Sequence, residues 1–320
     1  MTVCTVIPTY NRRALVARAV QSVLEQTRPP DEIVVVDDGS VDDTAVALRR
    51  RFGSRIEIVR QPNRGVAAAR NAGARATTAD LIAFLDSDDR WHPRKLERQL
   101  PLMADPAVRL SATNWRRSDA AADAFSELRL PVVNEVLELP MERLTRPGGH
   151  ALWTSTWIVR PRAFWNAGGF NEKLRVAEDT ALLFQLARGG RFAVLPEVLA
   201  ERSNVIDAWQ LTNYRDSDYL REAARNASTI LLELWPETAA YPREVRRRYE
   251  RLLTYHLRRD LEYRAMDGRA AEARQRARQL IARRASAVET AVALAALLWP
   301  AAVGVRRRVS LALRGLNGAA

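Results

Sequence analysis

Residues 81–89, Leu-Ile-Ala-Phe-Leu-Asp-Ser-Asp-Asp, narrow the folds open to this chain more than any other stretch. Five apolar residues without polar alternation, Leu81 to Leu85, fit a strand buried on both faces, as in a parallel sheet covered by helices. Three of the next four side chains are carboxylates, placed where such a strand would leave the sheet. In open α/β sheets the ligand crevice lies outside the carboxyl ends of the strands. Carboxylates this crowded repel one another unless a cation or hydrogen-bond donors stand between them, and their hard oxygens suit Mg²⁺ or Mn²⁺. Taken alone, the segment either holds a metal or forms an acidic turn that caps the next helix.

The same pattern occurs upstream. Val3 to Ile7 reads as a first buried strand, ended by Pro8-Thr9-Tyr10-Asn11, with Asn11 as N-cap of a helix reaching Gln26. Glu32 to Val36 is a second strand that runs into Asp37-Asp38-Gly39-Ser40. A third strand spans Ile56 to Val59. A helix from Gly65 to Ala76 carries Ala67, Ala68, Ala72 and Gly73, small enough to pack closely on a sheet. This alternation predicts an α/β, doubly wound, mostly parallel sheet. Two strands ending in paired aspartates on one rim predict a polar ligand pocket. No G-x-G-x-x-G follows the first strand and no Gly-Lys-Ser/Thr loop occurs, which argues against dinucleotide and P-loop folds. Further on, a helix is expected over 93–105 from Pro93, then strands at Val108–Thr113 and from Trp153 to Val159. Trp157 is expected in the core, whereas Trp153 either fills core or presents its ring for stacking. His92, His150 and His256 have no ligand spacing, so no zinc site is assigned.

The lone Cys4 cannot form an internal disulfide and suits a reducing compartment. No signal peptide is read, so a cytoplasmic location is expected. The net charge of +12 is concentrated near the C-terminus: residues 269–320 hold ten arginines against Glu272 and Glu289, while residues 206–268 balance eleven against eleven acids. A basic tail points to an anionic partner such as a membrane surface. No aromatic–basic interleaving supports nucleic acid. Residues 206–284 are helical in composition. From Thr290 to Val305 sixteen residues carry no charge. As a helix that stretch is about 24 Å long, short of the ~30 Å hydrocarbon core. It lies either in the headgroup region on the inner face of the plasma membrane or against the protein as a buried helix. The expected organisation is therefore an α/β domain over 1–205, a helical extension over 206–284 and a basic, apolar tail over 285–320.

Val6-Ile7-Pro8-Thr9-Tyr10-Asn11-Arg12, Val36-Asp37-Asp38-Gly39-Ser40, Arg70-Asn71-Ala72-Gly73 and Leu85-Asp86-Ser87-Asp88-Asp89 together resemble the family-2 glycosyltransferases, as do Gly168-Gly169-Phe170-Asn171-Glu172 and Ala177-Glu178-Asp179. The resemblance implies a GT-A fold, a nucleotide-sugar donor with UDP as default, Mg²⁺ or Mn²⁺, and inversion at the anomeric carbon. It also implies a glycan or lipid-linked acceptor of cell-envelope polysaccharide synthesis. Carried over residue by residue, Pro8, Thr9 and Tyr10 line the nucleotide end and Asp38 accepts a hydrogen bond from the base. Asp37 supports Asp38 or caps the turn. Asp86 faces ribose or sugar, and Asp88 ligates the metal. Arg64 and Arg70 either assist at the diphosphate or are solvated charges. Glu178-Asp179 opens an amphipathic helix, with Asp179 as general base and Glu178 as fallback. Trp153 belongs to the acceptor side, with 115–150 as its variable segment and Gly148-Gly149 as a hinge. Relatives place a histidine two residues past an arginine where this chain has Arg202-Ser203-Asn204, so a third metal ligand is not expected there. Two rival readings are a nucleotidyltransferase-like enzyme, which lacks its basic Gly-rich loop here, and a non-catalytic binder of anionic polymers.

Overall fold

A computed structural model describes residues 1–128, 135–138, 140–146, 152–204, 217–283, 287–301 and 303–304. The expected Gly148-Gly149 hinge, His150 and the arginines at 306–308 lie outside them. The chain divides into two compact units, Met1–Gln210 and Leu211–Ala320; the boundary expected at 205/206 also falls outside the described residues.

In the first unit strands and helices alternate as β1 (Val3–Thr9), α1 (Arg13–Leu24), β2 (Glu32–Asp37), α2 (Thr44–Phe52), β3 (Glu57–Arg60), α3 (Val66–Arg75), β4 (Leu81–Phe84), β5 (Arg90–Trp91) and α4 (Lys95–Gln99). They continue as β6 (Val108–Arg117), α5 (Ala124–Glu127), β7 (Glu135–Leu137), α6 (Pro140–Leu144), β8 (Ile158–Val159), α7 (Pro161–Asn166), α8 (Glu178–Leu186) and β9 (Arg191–Arg202). Among the described residues nine strands form one sheet in the order β3-β2-β1-β4-β8-β6-β9-β5, with β7 on β9. The pairings make β1, β2, β3, β4, β6 and β9 run in one direction, while β8, β5 and β7 oppose them. All seven residues of β1 and all four of β4 are buried, as strands covered on both faces require.

The small residues of α3 work as expected. A Cβ at Gly73 would collide with Val6 Cγ1, so α3 sits directly on β1 and β2. Four expectations change. Asn11 is not the N-cap of α1: that position is Arg12, and Asn11 takes a left-handed φ of 51°. Its backbone N–H donates to Ser40 Oγ at 2.9 Å and its Oδ1 accepts from the Val41 N–H at 2.8 Å. Asn11 therefore ties the end of β1 to the loop after β2. The helix expected from Pro93 begins at Lys95 and tightens into a 3₁₀ turn over Leu100–Met103, where Pro101 lacks the N–H an α-helix would use. The strand Val108–Thr113 extends to Arg117. The strand expected from Trp153 is a 3₁₀ turn, Thr154–Thr156, followed by the two residues of β8.

The second unit is helical: α9 (Ser217–Leu234), α10 (Arg243–Met266), α11 (Ala270–Ala282) and α12 (Ala287–Leu298). Val245, Tyr249, Leu253, Leu257 and Leu261 form a buried stripe at four-residue spacing on α10, which packs on α9, α11 and α12. Asp260, buried beside that stripe, accepts from Ser228 Oγ at 3.0 Å, Arg264 Nε at 2.8 Å and Arg276 Nε at 2.6 Å. On α12, Val292, Ala293 and Ala296 are buried, while Leu298 is 84% and the adjoining Trp299 70% exposed. No helix among the described residues is long and apolar enough to cross a membrane.

Candidate active site

Because six strands share a direction, their carboxyl ends share a rim. That rim carries Thr9-Tyr10, Asp37-Asp38, the Asp86–Asp89 turn, Trp115 and Arg202. Side chains more than 100 residues apart in sequence meet there because of topology alone.

At the β1–β2 end, Pro8 and Thr9 are buried and Tyr10 is half-buried. Thr9 Oγ1 is buried without a hydrogen-bond partner among the described residues. Such an orphan hydroxyl at a rim is a place for ligand or water. Asp37 Oδ1 accepts from the Ser40 N–H at 2.9 Å, the turn-capping alternative. Gly39 has φ 82°, and a Cβ there would lie 2.8 Å from Asn63 N. Asp38 spans to the loop before α3. Its Oδ1 accepts from Gln61 Nε2 at 2.7 Å and the Arg64 N–H at 2.9 Å, and its Oδ2 from the Gly65 N–H at 2.8 Å. Asp38 thus holds the loop that launches α3. The Arg64 side chain turns to the surface and pairs with Glu172 at 2.6 Å.

The centre of the rim is built on Arg70. Buried in α3, its guanidinium reaches Asp86 at 2.6 Å and Glu178 at 2.7 Å. Burial works against its charge, but the two carboxylates more than compensate and raise its pKa. Of the two readings left open by the sequence, Arg70 is no solvated surface charge. Burial, then the neighbouring Asp179, push Glu178 up to about 7, with Arg70 pulling back. Glu178 and Asp179 open α8 and so complement its N-terminal dipole, yet their settings differ. Glu178 is buried against Arg70; Asp179 is half-buried and accepts only its neighbour's Thr180 N–H at 2.6 Å and Thr180 Oγ1 at 3.3 Å among the described hydrogen bonds. Ala177, just before them, adopts the left-handed φ of 65°. A non-glycine residue there costs of order 1–2 kcal/mol, and it sits directly before the Glu178 that meets Arg70.

Asp88, with its side chain 16% exposed, pairs with Arg12 Nη1 at 3.1 Å. Among the described residues no group of three or more His, Cys, Asp or Glu side chains is placed to hold a metal ion. Asn204 donates its Nδ2 to Asp119 Oδ2 at 2.7 Å. At this turn the donor, which here is paired with Arg12, would be the single carboxylate of Asp88. That suits Mg²⁺, which commonly takes one or two carboxylates and completes its shell from substrate phosphates and water.

Sequence reasoning gave no role to Asp89, Trp115 or Lys95. Asp89 is buried, which together with Asp88 and Asp86 pushes its carboxyl up to about 8. Its Oδ2 accepts from Trp153 Nε1 at 2.7 Å and Ser155 Oγ at 2.5 Å, and its Oδ1 from the Ser203 N–H at 3.1 Å. Trp153, half-buried, lies 5.8 Å from Trp115, and the Arg202 guanidinium lies 4.2 Å from the Trp153 ring centre. Trp157 is fully buried, as expected. Behind the turn, Trp91 Nε1 donates to Ser155 O at 2.7 Å, and the fully buried Lys95 sits 4.1 Å over the Trp91 ring. Lys95 Nζ donates to Gln99 Oε1 at 2.7 Å, and burial holds its pKa well below the usual lysine value. The contacts of Asp89 and Trp91 with Trp153 and Ser155 join residues more than 60 apart, and no local pattern announces them.

Comparison with known proteins agrees with this layout. The sequence model described as "Glycosyl transferase family 2" matches residues 4–168, just over half of the chain. An uncharacterized glycosyltransferase of Nostoc sp. is 43% identical over 101 residues, covering 31% of each chain. The succinoglycan biosynthesis protein ExoU of Rhizobium meliloti is 31% identical over 207 residues, covering 60% of this chain and 59% of ExoU. The chain thus spans less than two thirds of either relative's length. The crystal structure of S. aureus TarS 1–349 in complex with UDP-GlcNAc superposes with a TM-score of 0.67 at 18% identity, over 97% of this chain and 92% of that one. The mixed sheet with a helical C-terminal region is the GT-A architecture expected above. The match to that sequence model over more than half of its length places this chain in glycosyl transferase family 2.

Proposed function

We propose that the protein is an inverting glycosyltransferase that moves a sugar from a nucleotide-sugar donor, UDP-linked by default, to a hydroxyl of a cell-envelope glycan or lipid-linked acceptor. The observation that carries this reading is the contrast on either side of Arg70: it anchors Asp86 and Glu178 and leaves Asp179 half-buried beside them. TarS structures with UDP and with UDP-GlcNAc support the donor class, and the name of ExoU supports polysaccharide synthesis.

In this reading Thr9, Tyr10, Asp37 and Asp38 shape the nucleotide end. Asp86, fixed by Arg70, orients ribose or sugar. Asp179 takes the proton of the acceptor hydroxyl as its oxygen bonds to the anomeric carbon, on the face opposite the departing nucleoside diphosphate. The bond from the anomeric carbon to the diphosphate oxygen breaks in the same step, which inverts the configuration. Asp88 would hold Mg²⁺ or Mn²⁺, whose chemistry here is neutralisation of the diphosphate charge. Arg70, ion-paired with Glu178 at 2.7 Å, keeps Glu178 from competing for the acceptor proton. The enzyme works in the cytoplasm, and the exposed Leu298 and Trp299 suit contact with an anionic membrane surface.

Thermal-shift measurements with UDP, GDP, dTDP and CDP, each with Mg²⁺ or Mn²⁺, test the reading. A ligand at about 100 times its dissociation constant stabilises by ~2.7 kcal/mol. UDP with metal is expected to give the largest shift, and Asp88→Asn to lose the metal-dependent part. No shift with any nucleotide would refute the donor assignment; a shift indifferent to chelator would refute the metal at Asp88.

A further inference from the structure

Donor and acceptor must reach Asp86 from different sides of the rim. The β1 and β2 ends occupy one side. Beyond β8, the strands on the other side are β6 and β9, which end in Trp115-Arg116-Arg117 and Glu201-Arg202. Pairing sets Trp115 opposite Ala200, Arg116 opposite Glu201 and Arg117 opposite Arg202, while Arg90 of β5 also faces Glu201. Side chains alternate between faces along a strand, and paired residues share a face. Glu201 therefore stands in one row with Arg116 and Arg90. Trp115, Arg117 and Arg202 stand on the opposite face.

On that face the charges are not balanced. Arg117 pairs with Asp119 at 3.3 Å. Arg202 has no carboxylate partner among the described residues; its guanidinium lies 4.2 Å from the Trp153 ring centre and 5.8 Å from that of Trp115. The two indoles are 5.8 Å apart at 42°. Trp153 is fixed by its hydrogen bond to Asp89, in the same turn as Asp86 and Asp88. All three side chains are half-buried. A guanidinium resting on an indole is held by cation–π attraction without losing its charge, and its N–H edge stays available to an oxyanion. Indole faces, in turn, offer an apolar body to the C–H face of a sugar. Two strand spacings separate β4 from β6, so Trp115 lies about 10 Å from the Asp86 strand, a span that one sugar residue and its linkage can cross.

We propose that Trp115, Trp153 and Arg202 form an acceptor subsite for a glycan bearing an anionic group, carboxylate or phosphate, on the sugar next to the reacting hydroxyl. Arg202 reads the charge and the indoles carry the ring. This inference rests on the glycosyltransferase reading and names the acceptor class that reading leaves open.

Calorimetric titration of the full chain, without nucleotide, with trigalacturonate, a phosphorylated maltotriose and neutral maltotriose tests the proposal. Either anionic probe is expected to bind at least roughly tenfold tighter than maltotriose at low salt, the scale of one charge-assisted hydrogen bond. The tighter of the two names the anionic group. Arg202→Gln should erase the gap, Arg202→Lys should keep part of it, and Trp115→Ala should weaken all three probes. Circular dichroism and the UDP thermal shift should be unchanged in each variant. A gap that survives in Arg202→Gln, maltotriose binding as tightly as both anionic probes, or no binding of any probe would overturn it. Failure of the donor reading shows separately, as loss of the UDP shift in the wild type.

Discussion

Asn71 clamps the backbone of Phe170 from both sides: its Oδ1 accepts the Phe170 N–H at 3.0 Å and its Nδ2 donates to the Phe170 carbonyl at 2.8 Å. One side chain on α3 thereby fixes the Gly168-Gly169-Phe170 segment that leads into α8, while its neighbour Arg70 fixes α8 itself through Glu178. Phe170 also packs edge-on against Phe84 at 5.2 Å, so the clamp reaches the strand that ends in Asp86. Asn71→Ala would leave two buried backbone groups unpaired, a cost of ~3 kcal/mol. Urea denaturation should show that loss, and turnover should fall with it because Glu178-Asp179 is no longer aimed. A stable variant with full activity would show the clamp to be dispensable.

Asp179 and Glu178 should separate cleanly. Asp179→Asn is expected to lower turnover by two or more orders of magnitude, about the scale of a lost general base, while UDP binding by calorimetry stays near wild type. Near-normal turnover in Asp179→Asn, with the loss confined to Glu178→Gln, would move the base by one residue.

Glu178 also predicts a pH effect on stability. Its folded-state pKa, raised to about 7 chiefly by burial, lies above the ordinary value of 4.5. Its contribution is thus fully favourable below pH 4.5, where the carboxyl is neutral whether folded or unfolded, and is lost as pH rises through about 7. The amount is up to ~3 kcal/mol. Chemical denaturation from pH 4.5 to 8 should show Glu178→Gln gaining stability over wild type with rising pH. Parallel curves for the two proteins would contradict the assignment.

Gly73→Ala tests the contact of α3 with the sheet. The added methyl meets Val6 Cγ1, and overpacking of this kind costs about 1–3 kcal/mol, against ~1 kcal/mol gained in helix propensity. A net loss is expected in urea melts, relieved when Val6→Ala is combined with it. Simple addition of the two single-variant losses would mean that the methyl is accommodated elsewhere.

The membrane contact can be probed without touching the fold, because Leu298 and Trp299 are exposed. Leu298→Ser with Trp299→Ser should reduce flotation with anionic phosphatidylglycerol vesicles at low salt and leave the UDP thermal shift unchanged. Equal flotation of variant and wild type would remove this face as the point of contact.

The parallel half of the sheet was legible because each of its strands is a local apolar run followed by turn residues, and the aspartates at Asp37-Asp38 and Asp86–Asp89 sit at those same boundaries. Of the antiparallel strands only the end of one, Ile158–Val159, fell within an expected strand. Two-residue strands such as Arg90–Trp91 and Ile158–Val159 carry no periodicity of their own and exist through partners more than 45 residues away. For the same reason the pairs Asp38–Gly65, Asp88–Arg12 and Trp153–Asp89 were invisible in sequence, although one member of each had been singled out. Asn11 was misplaced because an N-cap and a left-handed loop residue draw on the same short polar side chain, and only the position of Ser40 and Val41 decides between them.

The burial of Lys95 gives the chain an unusual chemical address. Lys95 and Lys173 are its two lysines, and Lys173 is exposed, directly after Glu172 in the segment that Asn71 secures. An amine-reactive dye applied to the native protein should therefore attach at Lys173 and the terminal amine and spare Lys95. A reporter would then sit beside the path into α8 without a cysteine having been introduced, and delayed modification of Lys95 would count the moments at which the helix behind the Asp86–Asp89 turn comes open.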